Sequence, residues 1–227
     1  MFKFSGETDV HSRQLKEYHT WLLGMQEMDV VVLGSDPTAL ACGLELLGED
    51  YSVLLIDEAE TPGGRFTWQR GPVEIISPAD ELLEELGFPI VSNPPLWLDR
   101  LDLLSYMCNR FYRQGGKILP GVYIEGPPRQ RKDGFEINLL LDNCPLIISA
   151  GDVVVTVPKF NPPSPETVCE QQIEDMVLNT GRHGDGWIRA GYQALLPVTD
   201  TEYCPMINGC LLSGRKAAHI VFNKKIK

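Results

Sequence analysis

One pattern near the N-terminus restricts how this chain can fold more than any other. Asp29–Leu33 (DVVVL) is a short and mostly aliphatic run, typical of a strand buried on both faces. A glycine turn at Gly34–Pro37 follows, and Thr38–Leu47 has the pattern of a helix. A second apolar run, Tyr51–Ile56, ends at the acid Asp57. Strand, glycine turn, helix, strand and acid within about thirty residues indicate the βαβ unit that binds dinucleotides.

The glycine turn departs from the dinucleotide pattern at one position. Such turns use one glycine for the tight bend, one for close approach of the pyrophosphate and one for packing of helix on strand. Here the three positions hold Gly34, Asp36 and Ala39. Asp36 places a carboxylate where a diphosphate would lie, although a helix N-terminus otherwise attracts anions. The sequence therefore predicts poor or altered phosphate binding at this turn.

Two later segments agree with a two-dinucleotide-binding flavoprotein. Gly63-Gly64-Arg65 follows Asp57, and Gly186–Gly191 precedes a predicted closing helix over Asn208–Phe222. Asp57 is expected to bind a ribose diol, although a cap or turn acid is the alternative, and Gly63-Gly64 could be an ordinary turn. The N-terminal end of the closing helix is expected to face the flavin or nicotinamide. The predicted cofactor-binding residues are Gly34, Ser35, Asp36, Thr38, Ala39, Asp57, Glu58, Gly63, Gly64, Arg65, Gly191, Asn208 and Gly209.

The rest of the chain predicts a single α/β domain over residues 1–227: a three-layer, Rossmann-type parallel sheet with an inserted antiparallel β-meander. Its parts are a dinucleotide half at 27–121, the meander at 122–150 and a closing half at 151–227. The remaining predicted helices are Asp9–Gln26, Pro78–Leu86, Leu98–Gln114 and Glu166–Met176. The remaining predicted strands are Lys117–Leu119, Val122–Ile124, Phe135–Leu141, Leu146–Ser149, Asp152–Val157 and a strand in Gly186–Gly191 that leads into a loop.

Composition excludes several classes of partner. The formal charge of −11 disfavours nucleic acid and anionic membrane surfaces. The basic runs Arg129–Lys132 and Lys224–Lys227 are interpreted as a solvated loop and a terminus. No apolar stretch approaches the length that spans a membrane, and no signal peptide is visible. The six cysteines lack a C-x-x-C pair, which predicts reduced thiols in the cytoplasm and no zinc site.

Near the C-terminus, Pro205–Ala218 (PMINGCLLSGRKAA) resembles the ending of the ADP-thiazole synthase family. Asp29–Val32, Glu81–Pro89 and Cys144–Ile148 resemble the same family, so that the resemblance covers nearly the whole chain. That family makes the thiazole half of thiamine from NAD, glycine and sulfide. The resemblance implies a GR2 flavoprotein-like fold, an adenine dinucleotide ligand (FAD or NAD-derived) and a ring-shaped homo-oligomer.

The functional residues of that family do not carry over to this sequence. Its metal ligands fall on Cys144 and Lys159, and a protonated lysine binds metals poorly, so no metal site is expected. Its sulfur-donating residue falls on Asp142, which cannot donate sulfide. Its substrate-binding arginine falls on Glu202, which reverses the charge, and its A-T-G turn falls on Thr156–Pro158. The resemblance therefore implies a relative that does not make thiazole.

Three hypotheses for function follow. The first is an FAD- or NAD-type dinucleotide-binding, oxidoreductase-like protein in which any hydride chemistry belongs to the cofactor. The second is a non-catalytic relative that acts as a subunit or scaffold, its acidity suiting a basic partner. The third is a different enzyme that uses Cys144 or Lys159 as a nucleophile.

Overall fold

A computed structural model describes residues 24–63, 71–90, 96–157, 177–182, 184–191 and 207–225. The elements are, in chain order, β1 (Glu27–Leu33), α1 (Pro37–Gly48), β2 (Val53–Ile56), β3 (Pro72–Ile75), α2 (Ala79–Glu85), β4 (Leu96–Asp99), α3 (Arg100–Arg113), β5 (Lys117–Leu119), β6 (Tyr123–Ile124), β7 (Arg129–Arg131), β8 (Gly134–Leu141), β9 (Cys144–Val155), β10 (Gly181–Arg182), β11 (Ile188–Arg189) and α4 (Ile207–Lys225).

The large sheet has the strand order β10-β11-β9-β1-β2-β5. Every neighbouring pair from β11 to β5 is parallel. The strand order reverses at β1, because β2 and β5 lie on one side of β1 whereas β9 and β11 lie on the other. Such a reversal leaves a crevice at the carboxyl ends of the two central strands, where open α/β sheets bind ligands.

Strand β1 shows why the sheet is buried on both faces. Val30 and Val32 belong to the hydrophobic core to which helices α1, α2, α3 and α4 contribute, whereas Val31 and Leu33 belong to the core on the opposite face. The opposite layer is the β-meander, which contributes Phe135, Ile137, Leu139 and Ile148 to the second core. Helices, parallel sheet and meander are the three predicted layers, so the predicted fold class is confirmed. The predicted extents of the three parts, 27–121, 122–150 and 151–227, stay a prediction.

Strand β9 belongs to the meander and to the parallel sheet at once. Its first half pairs antiparallel with β8 from Cys144 to Ala150, and its second half pairs parallel with β1 from Ser149 to Val155. Two separate strands, Leu146–Ser149 and Asp152–Val157, were expected here, which was wrong because the strand continues through Gly151. A Cβ at Gly151 would lie 3.0 Å from the carbonyl oxygen of Asp29, so this glycine permits close strand contact.

Other sequence predictions need correction. The strands β3 and β4, which are separated in sequence by helix α2, form an unpredicted two-stranded antiparallel sheet. Helix α3 therefore begins at Arg100 instead of Leu98, and Asp99 caps it by accepting from the amides of Leu101 and Asp102. Arg129–Arg131, predicted as a loop, is the exposed strand β7. Of the predicted helix Asp9–Gln26, the described part from residue 24 onward forms a turn; the predicted helix Glu166–Met176 lies outside the described residues.

Candidate functional site

Three polar or flexible residues follow the central strands at one edge of the sheet. Gly34 follows β1, Asp57 follows β2 and Thr156 follows β9. Backbone hydrogen bonds join them to neighbouring strands: Gly34 N donates to Ile56 O at 2.7 Å, and Thr156 N donates to Leu33 O at 3.0 Å. This edge contains the crevice at the reversal of strand order, so it is the candidate site.

Gly34 must be a glycine for two independent reasons. Its φ of +127° lies in a region that side-chain-bearing residues rarely adopt. A Cβ at Gly34 would also overlap the hydroxyl oxygen of Thr156. That hydroxyl donates to Leu33 O at 3.2 Å, so the end of β9 is held tightly against the turn after β1. The first glycine of the pattern therefore serves the tight turn, as the sequence predicts.

Ser35, Asp57 and Gly63 form one buried hydrogen-bond network. The Ser35 hydroxyl donates to Oδ2 of Asp57 at 2.5 Å, and the amide of Gly63 donates to Ser35 Oγ at 2.9 Å. The other carboxylate oxygen, Oδ1, accepts from the amide of Ala59 at 2.9 Å. Asp57 is 6% exposed. Each carboxylate oxygen has two lone pairs, so the group retains capacity to accept from a ligand hydroxyl.

Asp36 caps the N-terminus of α1. Its Oδ1 accepts from the amide of Ala39 at 2.9 Å, the amide of Thr38 also bonds the carboxylate, and Pro37 has no N–H. The next amide, that of Leu40, donates to the carbonyl oxygen of Asp36 at 2.9 Å. The first-turn donors that a helix would offer to a bound anion are thus used within the chain.

The environment of Asp36 changes its acidity. The pKa of its carboxyl is raised from an ordinary 3.8 to about 6, chiefly by burial and in smaller part by the nearby charge of Asp57. Hydrogen bonds from Ala39 N and Thr38 N, together with the nearby hydroxyl of Thr156, lower the pKa and partly offset this rise. Burial dominates because a charge loses its hydration inside the protein. The candidate site therefore contains a carboxyl group that titrates near neutral pH.

Thr38 has a buried hydroxyl beside the loop that follows β11. Its Oγ1 is fully buried and has no hydrogen-bond partner within the described chain. It faces Gly191, whose φ is +53° and where a Cβ would lie 2.5 Å from this oxygen. The amide of Gly191 donates to Ser213 Oγ of α4 at 2.7 Å. Gly191 is therefore held beside the first turn of α1, so that the two segments can contribute to one binding site.

Three other predicted cofactor-binding residues, Asn208, Gly209 and Glu58, have structural surroundings of their own. The Asn208 side chain donates to Glu74 O and accepts from Ile76 N, both at 3.1 Å, so it holds the backbone of β3. Gly209 is buried within α4, and the exposed Glu58 accepts from the amide of Ile124 at 3.0 Å. Gly64 and Arg65 lie outside the described residues.

Cys144 is not brought to this edge of the sheet. It is exposed at the first position of β9, whereas the edge with Thr156 follows the last position of the same 12-residue strand. At about 3.3 Å per residue these positions are roughly 36 Å apart. Cys144 therefore does not line this edge of the sheet within its own chain, and its role as a nucleophile stays a prediction. Lys159 and Glu202 lie outside the described residues.

Asp142 occupies a hairpin turn whose backbone conformation suits an aspartate. It and Asn143 form the turn between β8 and β9, with φ values of +50° and +62°. Two consecutive positive φ values indicate a type I′ hairpin turn, in which Asp and Asn are favoured. Among the described residues no three His, Cys, Asp or Glu side chains come close enough together to hold a metal ion.

Ser213 and Gly214 of α4 were not predicted to support the site. The segment Leu211–Ala218 is rich in small residues, a sequence feature that could have predicted close contact between α4 and another helix. A Cβ at Gly214 would overlap the carbonyl oxygen of Thr38 and lie 3.0 Å from Ala41 Cβ. Small size on α4 thus positions the first turn of α1. Only the folded arrangement reveals this contact, since the two helices are far apart in sequence.

Searches against known proteins found relatives along the chain, although no family model matches it. Thiamine thiazole synthase from Thermococcus kodakarensis is 24% identical, with 96% of this chain and 98% of that protein aligned. The Thermotoga maritima thiamine thiazole synthase is also 24% identical, with 91% and 93% aligned. The Methanococcus aeolicus thiamine thiazole synthase is 28% identical over 114 residues, or 48% of this chain and 43% of that protein.

A solved structure gives the same relationship at the level of fold. THI4 from Thermovibrio ammonificans superposes with a TM-score of 0.80 at 18% identity, covering 99% of this chain and 100% of the other. The p-nitrophenol 4-monooxygenase from Pseudomonas putida matches with a TM-score of 0.50 at 15% identity, over 58% of this chain and 41% of that one. These findings confirm the resemblance inferred from the C-terminal segment.

Proposed function

We propose that this chain, a divergent member of the thiamine thiazole synthase family, is an oxidoreductase-like protein that binds an adenine dinucleotide, either FAD or an NAD derivative. The observation that carries the proposal is the buried network that joins Asp57, after β2, to the turn at Gly34 and Ser35, after β1. An acid at the end of the second strand binds the adenosine ribose in dinucleotide-binding folds. Asp57 retains lone pairs for that purpose.

The described residues suit the adenosine end of such a ligand better than its diphosphate end. The adenosine end fits, because Gly34 and Gly63 let the backbone approach and Asp57 supplies acceptors. The diphosphate end fits poorly while Asp36 carries its charge and holds the first-turn amides of α1. A bound flavin or nicotinamide would itself supply hydride chemistry. The described residues supply binding and orientation of the adenosine end.

We further propose that the protein does not make thiazole. The position that donates sulfur in the family falls on Asp142, which here serves a hairpin turn and offers no thiol. The purified protein, incubated with ferrous iron, NAD, glycine and sulfide, should yield no thiazole product by mass spectrometry. The Thermococcus kodakarensis relative serves as the positive control, and a thiazole product from this chain would contradict the proposal.

The test of binding uses ADP-ribose, which contains the adenosine and diphosphate without a redox ring. The variant Asp57→Asn should weaken ADP-ribose binding about tenfold at pH 6, because removal of the negative charge weakens the acceptors for the ribose hydroxyls. Isothermal titration calorimetry measures the effect. The matched control is Asp133→Asn at an exposed position far from this edge of the sheet. Equal affinity of the two variants would remove Asp57 from the binding site.

A second candidate function is that of a non-catalytic subunit or scaffold. One observation favours it: Asp36 and Asp57 are satisfied by donors of the chain itself, so the edge is hydrogen-bonded without a ligand. A homo-oligomer, or a complex with a basic partner suited to the charge of −11, belongs to this proposal. This function would be favoured if the purified protein is colourless and releases no nucleotide on denaturation. It would also have to elute from size-exclusion chromatography in a complex of fixed mass, measured by light scattering.

Two findings bear on location and on the third hypothesis. Within the described helices, none combines the length and apolar character needed to cross a bilayer. The described cysteines, Cys42, Cys108, Cys144 and Cys210, are free thiols, which supports our proposal of a cytoplasmic location.

For a nucleophilic role of Cys144, activity of any kind would have to disappear in Cys144→Ser while the fold stays intact.

A further inference from the structure

We propose that Asp36 determines whether a diphosphate can bind at the N-terminus of α1, so that dinucleotide binding is accompanied by uptake of one proton at the Asp36 carboxylate. The inference rests on the proposed dinucleotide-binding function and names the residue that regulates it. Asp36 would thus make the affinity of this chain for dinucleotides depend on pH. Ligands without a phosphate would bind independently of this residue.

The first step of the argument is geometric. A ligand diphosphate at a helix N-terminus is bound by the amides of the first turn. In this chain the amides of Thr38 and Ala39 already bond the Asp36 side chain, and Pro37 has none. The carboxylate therefore occupies the position of the missing anion. A diphosphate can use these donors only if the Asp36 side chain releases them.

The second step concerns charge. Asp57, after β2, is the charged group that faces Asp36 from the neighbouring strand. The groups that face the first turn from the other described elements are neutral: the Thr156 hydroxyl after β9, Gly191 after β11 and Ser213 on α4. Adding a diphosphate to two carboxylates places several negative charges in one buried site. A proton on Asp36 removes one of them and weakens its hold on the amides.

The acidity of Asp36 makes this proton uptake accessible. Burial and the charge of Asp57 raise the pKa of its carboxyl to about 6. A diphosphate would raise that pKa further by the same electrostatic effect. The protonated form is therefore populated within the ordinary range of intracellular pH, and the proton can be supplied by solvent without any further group.

An independent feature points to a ligand with acceptor oxygens at this helix end. The Thr38 hydroxyl is fully buried, has no partner within the described chain and lies against Gly191. A buried hydroxyl without a hydrogen bond destabilises a folded protein, so this hydroxyl is a candidate donor to a bound ligand. A phosphate oxygen would accept from it. Thr38 thus supplies a donor that Asp36 does not consume.

The experiment measures ADP-ribose and adenosine binding by calorimetry between pH 5 and pH 8. For the wild-type chain we expect ADP-ribose to bind roughly 100-fold more weakly at pH 8 than at pH 5, since only the protonated fraction binds. Asp36→Asn should bind ADP-ribose with the same affinity across this range, because asparagine is neutral and still caps the helix. Adenosine should bind both proteins without dependence on pH. Asp133→Asn should behave as wild type.

The outcomes separate the inference from the proposed function. ADP-ribose affinity that is equal at pH 5 and pH 8 in the wild-type chain overturns the role of Asp36. A pH dependence that persists in Asp36→Asn also overturns it and assigns the proton to another group. If neither ADP-ribose nor adenosine binds either protein at any pH, with folding verified by circular dichroism, the proposed function fails together with the inference.

Discussion

Asp36 is the residue at which the structure departs furthest from an ordinary dinucleotide turn. The position usually holds a glycine because a ligand must approach the backbone there, and the chain instead places an acid that caps its own helix. The carboxylate gains hydrogen bonds but loses hydration, and its charge lies near that of Asp57. One substitution therefore changes the helix end from a binding site for anions into a site that already contains one.

The same residue should make the stability of the protein depend on pH. The pKa of Asp36 is raised in the folded chain, so the protonated form favours folding. That contribution is complete below pH 3.8 and is lost as pH rises to about 6. The difference of about two pKa units corresponds to about 3 kcal/mol.

Asp36→Asn should therefore unfold with a free energy up to about 3 kcal/mol higher than the wild type at pH 7.5, and with a much smaller difference at pH 4. Asparagine keeps the helix cap, so the comparison isolates the charge. Urea unfolding followed by circular dichroism measures both values, with Asp133→Asn as the control. A wild type as stable as the variant at pH 7.5 would show that the carboxylate is not destabilising in the folded chain.

At the scale of elements, the contact between α1 and α4 positions the site. Gly214 lies where a side chain would overlap Thr38 O and would lie 3.0 Å from the amide nitrogen of Cys42. Gly214→Ala should lower the free energy of unfolding by about 1 to 3 kcal/mol, because the helices must separate to admit the methyl group. Displacing α1 should also weaken ADP-ribose binding. Chemical denaturation and calorimetry on the same preparation measure the two effects.

Gly48→Ala is the matched control for that prediction. Gly48 is also helical, and a Cβ there would meet no atom within 4 Å. The change should leave binding unaltered and alter stability by less than about 1 kcal/mol, in the stabilising direction. If Gly214→Ala were as stable as this control, the close approach of α1 to α4 would not constrain the site.

The elements also explain which parts of the fold the sequence predicts. The last four residues of β1 and all four residues of β2 are buried on both faces, so each strand contains an aliphatic run that stands out in the sequence. The small sheet of β3 and β4 was missed because its strands are four residues long, half exposed and separated by helix α2. The role of Asn208 could not be predicted, because its partners Glu74 and Ile76 lie more than 130 residues away in sequence. Local patterns predict elements, whereas such contacts exist only after folding.

At the scale of the whole molecule, the excess of acidic residues lowers the stability of the folded state through electrostatic repulsion. The chain has 31 Asp and Glu residues against 20 Lys and Arg residues. Some charges are paired, as in Asp152, which accepts from Arg182 Nη1 at 2.9 Å and from Lys224 Nζ at 3.0 Å. The pairs are local, whereas the net charge of −11 repels itself across the surface. Net repulsion favours the expanded, unfolded chain.

Screening by salt should therefore stabilise the protein. Raising NaCl from about 10 mM to about 300 mM shortens the screening length severalfold, which weakens repulsion between distant surface charges more than attraction within buried pairs. We expect the Tm at pH 7.5 to rise by a few degrees, measured by differential scanning calorimetry. KCl should give the same rise, since the effect depends on ionic strength and not on the cation. A Tm that falls with salt would mean that the ion pairs outweigh the net charge.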